Sequence, residues 1–155
     1  MRYDTVPKTT RVNVDIRDIA EAIANGSPGI EYYLDLETGE IVWLADDIVV
    51  EEDRGIREAI EAGIEERFVD IPYVHSHEGY RDMKDFIDTL VDDSLREKLY
   101  IAIDGRGAFR RFKDVLLSYP EEREKWFEFS SSRNLQRAKA WLEERGIEAI
   151  RADDR

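Results

Sequence analysis

The chain has no cysteine, only four prolines, two histidines and two methionines in 155 residues. Without cysteine there is no disulfide framework, thiolate zinc site or cysteine nucleophile. No apolar run approaches the ~18 residues of a membrane-spanning helix. The opening Met1-Arg2-Tyr3-Asp4-Thr5-Val6-Pro7-Lys8 lacks the apolar h-region of a signal peptide, so a cytoplasmic location and no membrane contact are expected. Positive charge is scarce: 23 Lys and Arg stand against 36 Asp and Glu, a net of −13. The field of such a chain repels polyphosphate, which excludes duplex DNA as a partner.

What is present suffices for a core. Hydrophobic residues make up 42% of the chain, too many for a disordered segment. A chain of this length buries roughly two-thirds of its unfolded surface and needs no structural metal or cofactor to fold. The charge is uneven. Residues 1–53 carry 4 basic and 13 acidic side chains, and residues 54–104 carry 7 and 13. Residues 105–155 carry 12 and 10, so the negative excess lies in the first two-thirds.

Periodicity outlines the elements. Residues 1–12 are polar and read as a loose N-terminal arm. Asp15 caps a helix with Ile16, Ile19, Ala20 and Ile23 on one face, stopped by Asn25-Gly26 in a left-handed conformation. Glu31 to Leu36 and Ile41 to Leu44 flank Glu37-Thr38-Gly39-Glu40 and predict an antiparallel hairpin. Ile56, Ala59, Ile60 and Ile64 have helical spacing, and Arg67 to Ile71 reads as a short strand before Pro72. Tyr80, Met83, Ile87, Leu90 and Val91 share a helix face with Phe86 beside them, opposite Asp82, Lys84, Asp85 and Asp88. Leu95, Leu99, Ala102 and Ile103 predict the next helix, and Ala108, Phe109, Phe112, Val115 and Leu116 another. Lys125 to Phe129 is aromatic and strand-like. Ser130-Ser131-Ser132 offers a cap for a helix with Leu135, Ala138, Trp141 and Leu142 inward. Ile147 to Ile150 follows Gly146 as an edge strand. Trp43, Phe86, Phe109, Phe112 and Trp141 are the expected aromatic core. The expected architecture is one α+β domain over 13–150 with a C-terminal tail at 151–155. It has a small antiparallel sheet (a hairpin near 31–44 plus short strands) and about six helices.

Six constellations invite a chemical reading. Arg106, Gly107, Arg110, Arg111 and Lys113 surround a glycine-opened helix start. Free N–H groups, the helix dipole and guanidinium forks are together the ingredients of an anion site there; the alternative is that Phe109 and Phe112 are core and the arginines pair with Asp or Glu elsewhere in the fold. The preceding Leu99 to Gly107 stretch mimics a dinucleotide loop, but Arg110 stands at the third glycine position and the run also fits a helix. His75-Ser76-His77-Glu78 holds both histidines, with Glu78 and Asp82 as oxygen donors for a metal. The alternative is a helix start, with Ser76 as cap and Glu78 at the positive end. Asp46, Asp47, Glu51, Glu52 and Asp53 lack the spacing of a calcium loop and read as a solvated run. Ser130-Ser131-Ser132 lies in no nucleophile elbow, and Trp126, Phe127 and Phe129 are either core or a base-stacking surface.

Several segments together are familiar: Tyr32-Tyr33-Leu34-Asp35-Leu36-Glu37-Thr38-Gly39-Glu40, Tyr80 to Ile87, Gly105-Arg106-Gly107-Ala108-Phe109-Arg110-Arg111-Phe112-Lys113-Asp114, Pro120 to Phe127, and Ala140-Trp141-Leu142 to Glu148. Over residues 13–150 the chain resembles the bacterial uncharacterised protein family numbered 0158 in the UPF series. The resemblance implies a small bacterial cytoplasmic protein and brings no activity, cofactor or catalytic residue. The leading functional expectation is a non-enzymatic interaction module that binds a protein partner through its acidic surface. The runner-up binds RNA or a small phosphate at Arg106, Arg110 and Arg111. The third is a metal-dependent hydrolase built on His75, His77 and Glu78.

Overall fold

Asp15 starts the first helix as its spacing predicts: its carboxylate accepts the Arg17 N–H at 2.9 Å. The computed structural model describes residues 9–45, 51–63 and 66–150. The first eight residues, the 151–155 tail, Ile64, Asp46 and Asp47, and the side chains of Glu51, Glu52, Asp53 and Ile56 fall outside that description. Among the described residues the order is β1 (Thr10–Asn13), α1 (Ile16–Asn25), β2 (Ile30–Asp35), β3 (Ile41–Ala45), α2 (Glu51–Gly63), β4 (Phe68–Ile71), α3 (Ser76–Thr89), α4 (Asp93–Ala102), α5 (Ala108–Leu116), α6 (Pro120–Arg145) and β5 (Ile147–Ile150). This is an α+β domain, and its packing divides into two compact units: residues 1–73 with 134–155, and residues 74–133.

The first unit holds all five strands. β2 pairs antiparallel with β3 and with β4, giving the order β3-β2-β4. Gly39 closes the hairpin at φ +80°, and a Cβ there would stand 2.0 Å from the Asn13 carbonyl oxygen. Glycine is thus required twice, for its backbone conformation and for space. Strand alternation puts Tyr33, Val42, Leu44 and Phe68 on one face, where they pack with Ile60 of α2. One core expectation is corrected: the opposite face buries Leu34, Val69 and Ile71 of β2 and β4, but Trp43, on the edge strand β3, is 52% exposed. Ala59 is likewise exposed, and only Ile60 of the described α2 positions is buried. Residues 10–12, read as part of the arm, instead belong to β1. That strand pairs parallel with β5, and Val12 is buried. A pairing across more than 130 residues leaves no local trace in a polar segment. Gly26 ends α1 with φ −70°, not in the left-handed region. The constraint there is space, since a Cβ would meet the Tyr73 Cβ at 2.6 Å.

The second unit is helical. Met83, Phe86 and Ile87 of α3, Leu95 and Leu99 of α4, Ile103 after it, and Ala108, Phe112 and Leu116 of α5 form one buried cluster. Trp126 and Phe129 of α6 lie edge-on or tilted against it: the Trp126 ring is 4.8 Å from Phe112 and 5.4 Å from Phe86. Fully burying a ring such as Phe112 contributes roughly 2–3 kcal/mol. Asp92 caps α4 by accepting the Ser94 and Leu95 N–H groups. Tyr80 is exposed, as is Val91, which stands beyond the end of α3. Phe109 is 43% exposed because it lies at the flank of the α5 core face, against α3. A Cβ at Gly79 would meet its ring at 2.8 Å.

The strand expected at 125–129 is helix. Pro120 supplies the preset φ of a first helical position, Glu121 and Glu122 occupy the positive first turn, and α6 then runs 26 residues. Ser130-Ser131-Ser132 is therefore helix interior and no cap. Ala138, Trp141 and Leu142 are buried as expected, while Leu135 is exposed. Asp82, assigned to the polar face of α3, is buried. Arg133 of α6 reaches it at 3.4 Å and Asp85 at 3.1 Å, with its guanidinium over the Phe129 ring.

Candidate functional site

The turn between α4 and α5 fixes the arginines of the sequence-predicted anion site. Leu99 to Ala102 is the last turn of α4, so the Gly105-Arg106-Gly107 break follows a helix and not a strand. Gly105 and Gly107 both have positive φ, +88° and +75°. This bend brings Arg111 back over the end of α4. Its Nε donates to the Ala102 carbonyl at 2.9 Å and its Nη2 to the Asp104 carbonyl at 2.6 Å. Arg111 thus caps the last carbonyl of α4, at Ala102, and ties down the turn that follows at Asp104. Arg106, Arg110 and Lys113 are exposed. The structure therefore parts the group: Arg111 is engaged inward, Arg106 and Arg110 stand outside, and Lys113 belongs to a different feature.

That feature is a cavity of about 270 Å³ where α5 ends and α6 begins. Lys113, Leu116 and Leu117 line one side, and Arg123, Trp126 and Phe127 the other. It forms because α5 cannot continue into Pro120. The chain turns through Ser118 and Tyr119, whose N–H groups bond the Val115 and Leu116 carbonyls, before α6 begins at Pro120. Buried Leu116 and half-buried Trp126 face the core cluster. Leu117 is 62% exposed and Phe127 is 43% exposed. Arg123 is exposed, and its guanidinium lies 4.9 Å from the Phe127 ring centroid in a cation–π contact. Among the described residues no carboxylate pairs with Lys113 or Arg123.

The histidine motif opens α3. His75 is the N-cap residue without a side-chain cap bond, and Ser76, expected as the cap, is the first helical residue. Glu78 lies in the positive first turn. The two imidazoles stack with centroids 6.0 Å apart and planes 18° apart. Among the described residues no group of three or more His, Asp or Glu side chains is arranged to hold a metal.

Among the described residues the largest shifts in pKa lie outside the cavity, at Asp35 and Tyr33. Asp35 is held down to about 2 by the Arg67 guanidinium and by the Glu37 and Thr38 N–H groups, against the opposing effect of burial. Tyr33 is pushed up to about 12 by burial and by its bond to Glu31.

Sequence reasoning named Lys113 for phosphate and Trp126 and Phe127 for core or bases, and it passed over Leu117 and Arg123. Two signals were available. Trp126 and Phe127 are adjacent on a helix, so their directions differ by roughly 100° and both cannot face one core. Val115-Leu116-Leu117 places three apolar residues in one turn, with the same consequence.

A family model described as "Uncharacterised protein family (UPF0158)" matches residues 10–154, so the chain belongs to that family. A Pseudomonas aeruginosa protein called UPF0158 protein PA5073 is 27% identical over 137 residues, covering 88% of this chain and 86% of that protein. No solved structure matches. No helix among the described residues is long and apolar enough to cross a membrane.

Proposed function

We propose that this protein is a non-enzymatic interaction module of the bacterial cytoplasm that binds a protein partner. The observation that carries the reading is the cavity between α5 and α6, where exposed Leu117 and Phe127 line the same recess as two exposed cations, Lys113 and Arg123. Apolar side chains gathered at the mouth of a cavity, with a polar rim, have the composition of a contact surface. The contact thus moves from the acidic surface favoured by composition to the less acidic unit. Residues 74–133 carry 11 basic and 13 acidic side chains, a net of −2, which leaves −11 of the −13 to the first unit. That unit supplies the field that keeps the molecule dispersed and turns polyphosphate away.

A photo-crosslinking residue placed at position 117, and in a second variant at position 127, tests the reading in the cells that make the protein. The same residue at exposed Glu97 of α4 is the control. The expected result is one discrete protein adduct from 117 and 127 that is missing from 97. Adducts to RNA alone, or no adduct at either position, overturn the reading.

A further inference from the structure

The cavity is small and one-sided in its chemistry. Sites for drug-sized molecules and cofactors run to about 300–1,000 Å³, and this one, at about 270 Å³, lies below that range. Its walls are Leu116, Leu117, Trp126 and Phe127, and among the described residues the charged side chains lining it are Lys113 and Arg123. Such a recess suits one large apolar side chain projecting from a partner, the arrangement in which a buried anchor carries most of an interface's energy.

The rim is cationic from both helices. On α5, Arg110, Lys113 and Leu117 follow at spacings of three and four and share one face. On α6, Arg123, Trp126 and Phe127 share another. Taking roughly 100° per residue, Glu121, Glu122, Glu124 and Glu128 stand about 90° or more from the centre of that face. Asp114 is the acid that flanks the α5 side, one position beyond Lys113. Within a chain of net −13, this is a place where positive charge faces outward beside apolar surface. A screening length of about 8 Å at physiological salt lets that local charge govern contact even where the distant field has the opposite sign.

We propose that the α5–α6 cavity is a docking pocket for an acidic segment of a partner protein, one large apolar side chain filling the recess while flanking Asp or Glu residues meet Lys113, Arg123 and Arg110. This rests on the reading of the protein as an interaction module and names the partner chemistry. The charges select the segment and the anchor holds it. Leu117 sets the depth at the mouth, and Phe127 holds Arg123 in place through the cation–π contact.

The test selects 12-residue peptides from a random displayed library on the full chain and measures the selected peptides by fluorescence anisotropy. Enriched sequences should place one Phe, Trp, Leu or Ile among Asp and Glu. Leu117→Asp should weaken them about tenfold or more, the scale of losing a central anchor contact. Lys113→Glu with Arg123→Glu should abolish the acidic selection and let peptides with Lys and Arg around the same anchor bind instead. All three positions lie on the surface, and an unchanged melting temperature confirms that the variants fold. A consensus lacking acid or anchor overturns the proposal. So do peptides insensitive to Leu117→Asp, tight binding of a short RNA at the same positions, and a self-association in sedimentation that Leu117→Asp removes. A crosslinked partner from position 117 whose contact segment is not acidic sinks this proposal and leaves the interaction module standing. Absence of any crosslink sinks the module itself.

Discussion

Replacing Asp35 by asparagine should cost stability in a way that depends on pH. Asp35 ends β2 with its side chain 5% exposed. It accepts Arg67 Nε at 3.1 Å, Arg67 Nη2 at 2.9 Å and the Glu37 N–H at 2.9 Å. The carboxyl is lowered from 3.8 to about 2. At about 1.4 kcal/mol per unit, that difference corresponds to an upper figure of roughly 2–3 kcal/mol. The Arg67 side chain is 42% exposed, so solvent screening reduces this to about 1–2 kcal/mol. A depressed carboxyl stabilises the fold at pH values above its unfolded value, and that contribution disappears as pH falls through its folded value. The gap between the parent and Asp35→Asn should therefore be full at pH 7 and near pH 5. It should close between about pH 4 and pH 2, since asparagine does not titrate while the parent takes up its proton. Urea unfolding of both proteins at pH 7, 5, 4, 3 and 2.5 measures the gap directly, and subtraction cancels the other carboxylates. A gap that stays constant down to pH 2.5, or widens, refutes the claim that Arg67 and the turn N–H groups hold Asp35 ionised.

Phe112→Ala should cost about 3–5 kcal/mol by urea denaturation, whereas Phe109→Ala, being 43% exposed, should cost about 1–2 kcal/mol; equal costs would contradict the orientation of α5. Arg111→Ala removes two charge-assisted bonds to the end of α4 and should cost about 1–3 kcal/mol. In hydrogen exchange it should selectively lower protection in the last turn of α4, and unchanged protection there would deny the cap. Gly39→Ala should lower stability by at least about 2 kcal/mol, because the new Cβ enters the Asn13 carbonyl at a positive φ; a melting temperature within a degree of the parent would show that the turn relaxes freely.

Local rules carried most of the fold. Asp15, the Gly39 turn, the Leu95–Leu99–Ile103 spacing and Gly146 each act within a few residues, and α1, the hairpin, α4 and β5 stand within a residue or so of their expected places. Three of the failures share a cause in distance. β1 exists because β5 pairs with it, although Thr10 to Asn13 carries no strand pattern strong enough to stand alone. Lys125 to Phe129 has strand-like composition, and α6 overrides it because Trp126 and Phe129, three apart, both reach the Phe86–Phe112 cluster from a helix. Asp82 looked polar and solvated until Arg133, 51 residues away, covered it.

The site was legible only in part, for a related reason. Charge counting picked out the cluster at 106–113 but treated its members as equivalent. Whether an arginine is available depends on which carbonyls lie within its reach, and the paired glycines at 105 and 107 decide that by turning Arg111 onto Ala102 and Asp104. The remaining cations acquire direction only from what stands next to them. For Lys113 that neighbour is an apolar recess made by the break at Pro120, and for Arg123 it is the ring of Phe127. Composition assigned partner binding to the acidic surface because net charge is a property of the whole chain. A contact a few ångströms across responds to the few side chains that line it, and at the proposed pocket those are two cations and four apolar residues.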